Sequence, residues 1–277
     1  MYYLGLDDFI RRALEEDIGT GDITTISCIP ENAVSKGAFK AKEAGVICGM
    51  DILIRVFALL DPSVVVTPLV TDGTFVEKGK VIAEISGNSR SILSGERVAL
   101  NLIQRLSGIA TRTYEAAKQV AGTKAVIVDT RKTTPGLRVL EKYAVRTGGG
   151  QNHRFNLADG VLIKDNHIRA AGGISKAVEA VRKRAPHTLK IEVEVETMEQ
   201  VDEALAAGAD IIMLDNMSLE EMRAAVKRIN GRALVEASGN MGERNLREVA
   251  ETGVDLISIG ALTHTVKALD ISLKFYE

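Results

Sequence analysis

Apolar and polar positions along the chain follow two different rhythms. From about Lys124 onward, six short apolar runs rich in β-branched residues recur: AVIVDT, GVLIKDNH, LKIEVEVE, ADIIMLDN, RALVEASG and VDLISIGA. Runs of this length predict buried strands. Most are separated by stretches with apolar residues at helical spacing, such as SLEEMRAAVKRIN and ERNLREVAET. Strands alternating with helices predict βαβ units and a parallel sheet. Repeats of roughly 20–25 residues can close into a barrel, yet about 160 residues is short for eight units. The expectation is an incomplete parallel α/β barrel of six to seven strands, with an open doubly wound sheet as the alternative.

The first hundred or so residues read differently. LDDFIRRALEED puts Leu6, Phe9, Ile10 and Leu14 on one helical face. SVVVTPLV reads as a strand, Asp72-Gly73 as the turn after it, and VEKGKVIAEIS as another hairpin arm. Ser91 to Val120 reads as a long helix, with Gly108 as a candidate interruption. Two domains are expected, an N-terminal one over residues 1–106 and the barrel over residues 107–265.

Composition narrows the function classes. The 277 residues are 45% hydrophobic and 26% charged, as in a folded globular protein. A net charge of −2, no Trp and few aromatics argue against a nucleic-acid binder. Cys28 and Cys48 form no metal or redox spacing, which suits a reduced cytoplasmic protein. No apolar run approaches the roughly 20 residues of a membrane span, and the N-terminus has no signal-like core.

In a barrel, chemistry collects where strands end and loops begin. The six expected strand ends carry Asp129, Thr130, Arg131 and Lys132; Lys164, Asp165, Asn166 and His167; Glu192, Glu194 and Glu196; Asp215 and Asn216; Ser238, Gly239 and Asn240; and Ser258, Gly260 and His264. The strand beginnings are plainer. Between Arg131 and Arg169 there are eight Lys or Arg, two His and three acids. The third and fourth ends are acidic, and the last two are small and glycine-containing. That division suits a ligand with an anionic part, a hydroxyl-rich part and a phosphate, which barrels often bind after their last two strands. The glycines Gly148 to Gly150 are expected to end a helix and turn the chain toward His153 and Arg154.

Together, DTRKTTPGLRVLEKYAVRTGGGQNHR, LIKDNH, EVEVE, MLDN, EASGN and SIGALTH resemble the quinolinate phosphoribosyltransferase family, within the type II phosphoribosyltransferases. ERVALNLIQRLSGIAT and DIGTGDITT resemble it as well, so the likeness covers nearly the whole chain in order. The resemblance implies an N-terminal α/β sandwich, a C-terminal incomplete α/β barrel, and residues 266–277 returning to the first domain. It implies a homodimer with shared active sites, in some members built into a hexamer. It also implies transfer of phosphoribosyl from phosphoribosyl pyrophosphate to quinolinate with Mg²⁺, giving nicotinate mononucleotide, CO2 and pyrophosphate, a step of de novo NAD synthesis.

On this resemblance Arg131, His153 and Arg154 bind the quinolinate carboxylates, and Arg97 is supplied by the partner subunit. Guanidinium forks suit a planar dicarboxylate. Lys132 and Lys164 counter the charge of quinolinate and diphosphate, and Asn166 and His167 orient Lys164. Glu194 and Asp215 hold the ribose hydroxyls, directly or through Mg²⁺ and its waters, and stabilise oxocarbenium-like charge. Glu192 and Glu196 share the face of Glu194 by alternation, so spacing alone does not choose among the three. Ser238, Gly239, Asn240, Ser258 and Gly260 cradle the 5′-phosphate, with His264 as a further donor.

Residue by residue, structural readings compete. Arg97 alone reads as a surface helix charge, Arg131 and Arg154 as salt-bridge partners, His153 as a core histidine, and the acids as partners of barrel lysines. Rival functions are a paralogous phosphoribosyltransferase for another aromatic acid, a Schiff-base barrel aldolase using Lys164, and a non-catalytic sensor of phosphorylated metabolites.

Overall fold

In this computed structural model residues 4–276 are described; residues 1–3 and 277, the outer ends of the expected first domain and its returning tail, lie outside the described residues. Along the chain the elements are α1 (Leu6–Ile18), α2 (Ile23–Cys28), β1 (Val34–Ala41), β2 (Gly45–Val46), α3 (Met50–Leu60), β3 (Val65–Pro68), β4 (Phe75–Val76), β5 (Val81–Asn88) and α4 (Ser89–Gln119). They continue as β6 (Val126–Val128), α5 (Arg138–Thr147), β7 (Val161–Ile163), α6 (Asp165–Ala171), α7 (Ile174–Arg182), β8 (Ile191–Val195) and α8 (Met198–Ala206). The last are β9 (Ile211–Asp215), α9 (Leu219–Ile229), β10 (Leu234–Ser238), α10 (Leu246–Ala250), β11 (Leu256–Ser258), α11 (Ala261–His264) and β12 (Ile271–Tyr276).

Two compact units result. The first comprises the described residues up to Arg112, with Val139–Gly148 and those from Val266 onward. Its four-stranded antiparallel sheet has the order β12-β1-β5-β3. The C-terminal strand β12 pairs with β1 from Lys36↔Tyr276 to Ala41↔Ile271. The apolar stripe of α3 (Ile52, Leu53, Val56, Phe57) is buried, and the Phe57 ring lies 6.2 Å from that of Phe39 on β1. At Gly108, the candidate interruption, α4 runs unbroken. A Cβ on Gly108 would lie 2.1 Å from the Lys267 carbonyl oxygen, so this glycine admits a crossing chain rather than breaking the helix.

The second unit, Thr113–Arg138 with Gly149–Thr265, holds all six parallel strands in the order β6-β11-β10-β9-β8-β7. From β7 to β11 each strand lies beside its predecessor, and β6 joins the far edge beside β11. A doubly wound sheet would reverse its strand order at a switch point; this one winds in a single sense. It is an incomplete six-stranded barrel whose open seam falls between β6 and β7, which share no ladder. Local signals explain the helices between strands. Ser218 and Glu221 form a reciprocal capping box on α9, and the Asn245 side chain caps α10. No helix among the described residues is long and apolar enough to cross a membrane.

Candidate active site

Parallel strands share one rim at their C-terminal ends, and alternation turns every second side chain inward. A cavity of about 270 Å³ opens in the second unit at this rim. Of the residues expected from sequence, Arg131, Lys132, His153, Arg154, Lys164, Ser238 and Ser258 line it. Glu194 adjoins it through an ion pair with Lys164, Nζ to Oε2, of 2.7 Å. Asp215, Gly239, Asn240, Gly260 and His264 lie on the loops and strand ends alongside rather than among the lining residues. Arg97 is exposed on α4 in the first unit and does not line the cavity.

The cationic half is assembled by a buried carboxylate. After α5 the glycines turn the chain back beside β6, where Gln151 N–H donates to the Ile127 carbonyl (2.9 Å) and Asp129 N–H to the Gln151 carbonyl (3.2 Å). Asp129 is fully buried and accepts from His153 N–H (2.9 Å) and Asn152 Nδ2 (2.6 Å). This clamp delivers His153 and Arg154 to the cavity. Arg154 N–H donates to His153 Nδ1 at 2.8 Å, which places the imidazole proton on Nε2. His153 Nε2 lies 2.9 Å from Glu192 Oε2. Arg154 donates to the Gly160 carbonyl (2.9 Å). Burial first, and the neighbouring Arg131 second, hold the Arg154 pKa below its usual value. Arg131 buries its Nε without a hydrogen-bond partner. Two adjacent guanidiniums, one under-satisfied, make a receptor for a carboxylate-bearing ligand.

The remaining rim is acidic, then small. Burial distinguishes the three glutamates of β8: Glu192 is buried, Glu194 half-buried and Glu196 exposed as the strand leaves the core. Asp215 accepts from Asn216 Nδ2 at 2.8 Å. A Cβ on Gly239, where φ is +89°, would lie 2.3 Å from Asn216 Oδ1 and 2.7 Å from its backbone nitrogen, so the close approach of these two loops demands glycine. Gly260 stands against the side chains of Lys132 and His264. His264 is exposed and its Nδ1 meets Thr265 Oγ1 at 2.7 Å. His167 Nδ1 accepts from Lys164 N–H at 3.0 Å and so fixes the backbone that presents this lysine.

Glu236 was not singled out from sequence, although a carboxylate inside the apolar run LVEAS, two residues before Ser238, was the available signal. It is fully buried on β10 and lines the cavity floor. Neither of its oxygens has a hydrogen bond of good geometry, although the Ser258 hydroxyl and the Glu192 carboxyl lie beside it. Burial, and then repulsion by Glu192, push its pKa up to about 8, against a smaller pull from His153. His153, Glu192 and Glu236 bring potential ligand atoms within 4.8 Å of one another. A metal on Nε2 would need the imidazole proton on Nδ1, where the Arg154 N–H already points. The cluster is built to share protons. A second cavity of about 460 Å³ reaches it from the opposite side, between residues that begin β7, β8, β9 and β11; His153, Arg154 and Glu236 line both cavities.

Comparison with known proteins follows the same outline. A family profile described as quinolinate phosphoribosyl transferase, C-terminal domain, matches residues 109–274, and its N-terminal counterpart matches residues 22–107. The chain is 50% identical over 273 residues to a Bacillus subtilis protein named probable nicotinate-nucleotide pyrophosphorylase (carboxylating), covering 99% of this chain and 94% of that one. A Synechocystis protein of the same name is 47% identical over 272 residues, covering 97% and 92%. The solved nicotinate-nucleotide pyrophosphorylase of Ehrlichia chaffeensis superposes with a TM-score of 0.95 at 42% identity, over 99% of this chain and all of that one.

Proposed function

Because the chain belongs to the quinolinate phosphoribosyltransferase family, we propose that its rim cavity binds quinolinate and phosphoribosyl pyrophosphate for the family's decarboxylating transfer. The product is nicotinate mononucleotide, with CO2 and pyrophosphate released, and the step belongs to de novo NAD synthesis. The observation that carries the substrate assignment is the pairing of Arg131 and Arg154 at the cavity, with Arg131 Nε buried and unsatisfied. A dicarboxylate supplies the acceptors that this pair lacks.

Arg131, His153 and Arg154 orient the pyridine ring so that its nitrogen faces the sugar carbon. Lys132 and Lys164 offset the charge brought in by two polyanions. Glu194 and Asp215 stabilise the positive charge that develops on the sugar as pyrophosphate departs. Each keeps one carboxyl oxygen beyond those engaged by Lys164 and Asn216. That donor set fits Mg²⁺, which takes carboxylate oxygens together with waters and substrate phosphates. The ion would neutralise the departing diphosphate. Ser238, Gly239, Asn240, Ser258 and Gly260 present small side chains and backbone N–H groups to the 5′-phosphate, with His264 beside them. Once the ring nitrogen carries the sugar, its positive charge stabilises the electron pair that departing CO2 leaves on the adjacent carbon. Lys164 is half-exposed and ion-paired with Glu194, which favours charge neutralisation over a Schiff base.

The family resemblance supports a homodimer in which Arg97 of the partner subunit completes the site. A cytoplasmic location is the reading that the chain's two widely spaced cysteines support. The test is turnover of quinolinate, phosphoribosyl pyrophosphate and Mg²⁺, with a parallel run on nicotinate. Product from quinolinate alone is expected. Equal turnover of nicotinate would discard the arginine assignments, and no turnover of either would discard the reaction.

A further inference from the structure

The established reaction removes a carboxylate from ring carbon C2 and leaves hydrogen there, so a proton must reach that carbon inside the pocket or after release. We propose that Glu236, in its protonated form, is the acid that delivers this proton within the pocket, and that the second cavity is the route by which it is recharged. This rests on quinolinate occupying the rim cavity.

Four observations carry the assignment. Glu236 lies on the floor of the cavity that presents Arg131, His153 and Arg154, so it sits where a carboxylate-bearing ring edge is held. It is fully buried, and neither oxygen has a well-formed hydrogen bond, so burial and the facing Glu192 outweigh what Ser258 and His153 do for its ionised form. The neighbouring Glu192 already accepts from His153 Nε2, leaving Glu236 as the carboxyl that keeps a proton when two acids face each other. Glu236 also lines the cavity of about 460 Å³ on the other side of the barrel, so a path for its reprotonation exists that does not pass through the rim.

Other donors fit less well. Lys164 is paired with Glu194, Lys132 is exposed at the rim, and Nε2 of His153 points at Glu192. A neutral acid that titrates near the working pH is matched to both giving and regaining a proton.

The step balances. The C2–carboxylate bond breaks and CO2 leaves. Its bonding pair stays on C2 beside the quaternised nitrogen, and that pair forms the C2–H bond with the Glu236 proton. Glu236 becomes a carboxylate facing Glu192, a like-charge arrangement that favours prompt reprotonation from the second cavity. Without the acid, the carbanion recaptures CO2, and the undecarboxylated nucleotide is released instead.

The experiment counts CO2 from quinolinate labelled at the C2 carboxyl against pyrophosphate released, in wild type and Glu236→Gln. In the variant, CO2 per pyrophosphate is expected to fall at least tenfold, within the ~10²–10⁴-fold typical of a lost general acid, with quinolinate mononucleotide appearing in the medium. A ratio that stays at one to one, at any absolute rate, overturns the proposal. If the variant does not fold, the wild type still decides. The groups facing Glu236 are Glu192 from β8, His153 and Arg154 from the turn after α5, Arg131 and Lys132 after β6, Lys164 after β7, and Ser258 on β11. The ratio should decline as pH rises through about 8 while pyrophosphate release continues; a constant ratio to high pH overturns the assignment. Wild type that releases neither product with quinolinate indicts the substrate reading, not the acid.

Discussion

Replacing Arg131 with alanine separates stability from function. In most proteins, removing one partner of a buried ion pair costs about 3–5 kcal/mol because the other charge is stranded. Arg131 strands no carboxylate when it is removed; its Nε is buried and unsatisfied, and it stands beside another cation, Arg154, whose pKa it lowers. Relieving the repulsion between two partly exposed cations is worth on the order of 0.2–1 kcal/mol after screening. Arg131→Ala should therefore leave the ligand-free melting temperature unchanged or raise it by up to about 2–4 °C. Binding is different. The truncation removes the contact to a substrate carboxylate, worth on the order of 2–5 kcal/mol, or about 30-fold to several thousandfold in kcat/KM for quinolinate. Thermal unfolding without ligand and steady-state kinetics with quinolinate varied read the two quantities independently. A fall of more than a few degrees would show that Arg131 is a structural pair member, and a kcat/KM within twofold of wild type would refute its contact with substrate.

Gly239→Ala should destabilise the second unit by about 2–4 kcal/mol, combining the cost of a left-handed conformation with overpacking against Asn216, and should raise KM for phosphoribosyl pyrophosphate; an unchanged melting temperature and KM would contradict the loop geometry. Mixing Arg97→Ala with Glu194→Ala after subunit exchange should bring the mixture to roughly a quarter of wild-type activity if the two residues serve one site from different chains, whereas no recovery counts against a shared site. Glu236 also links stability to pH. Its folded pKa is raised, so between its ordinary value of 4.5 and about 8 the native state holds a proton that the unfolded chain has released, and stability falls as pH rises through that window. Glu236→Gln should flatten this slope, gaining on wild type at pH 8 relative to pH 5; parallel melting curves at both values would remove the basis for a raised pKa.

Much of this was legible from one dimension because period-2 and period-3.6 patterns are local. The six strands appear as six apolar runs, and their number was too small for a closed eight-unit barrel. Chemistry at the strand ends was legible for a related reason: a parallel strand has a direction, so the polar residues that follow each run share one rim. Gly108 shows the limit. A glycine within helical spacing reads as a break, and only the path of residues 267–268 reveals a close crossing instead. Burial shows a second limit, since alternation put Glu192, Glu194 and Glu196 on one face without ranking them.

What the amino-acid order determined by itself was the set of strands and helices, their direction, and the residue types at the rim. Those follow from backbone propensity and hydrophobic period, which act over a few residues. Only the tertiary structure decided that Asp129 clamps the turn bearing His153 and Arg154, which nitrogen of His153 carries its proton, and that Glu236 is a buried acid reached by two cavities. These depend on groups brought together from distant positions, such as His153, Glu192 and Glu236. The removal of water that sets a carboxyl's charge is a property of the packed sheet, which no local stretch of chain possesses.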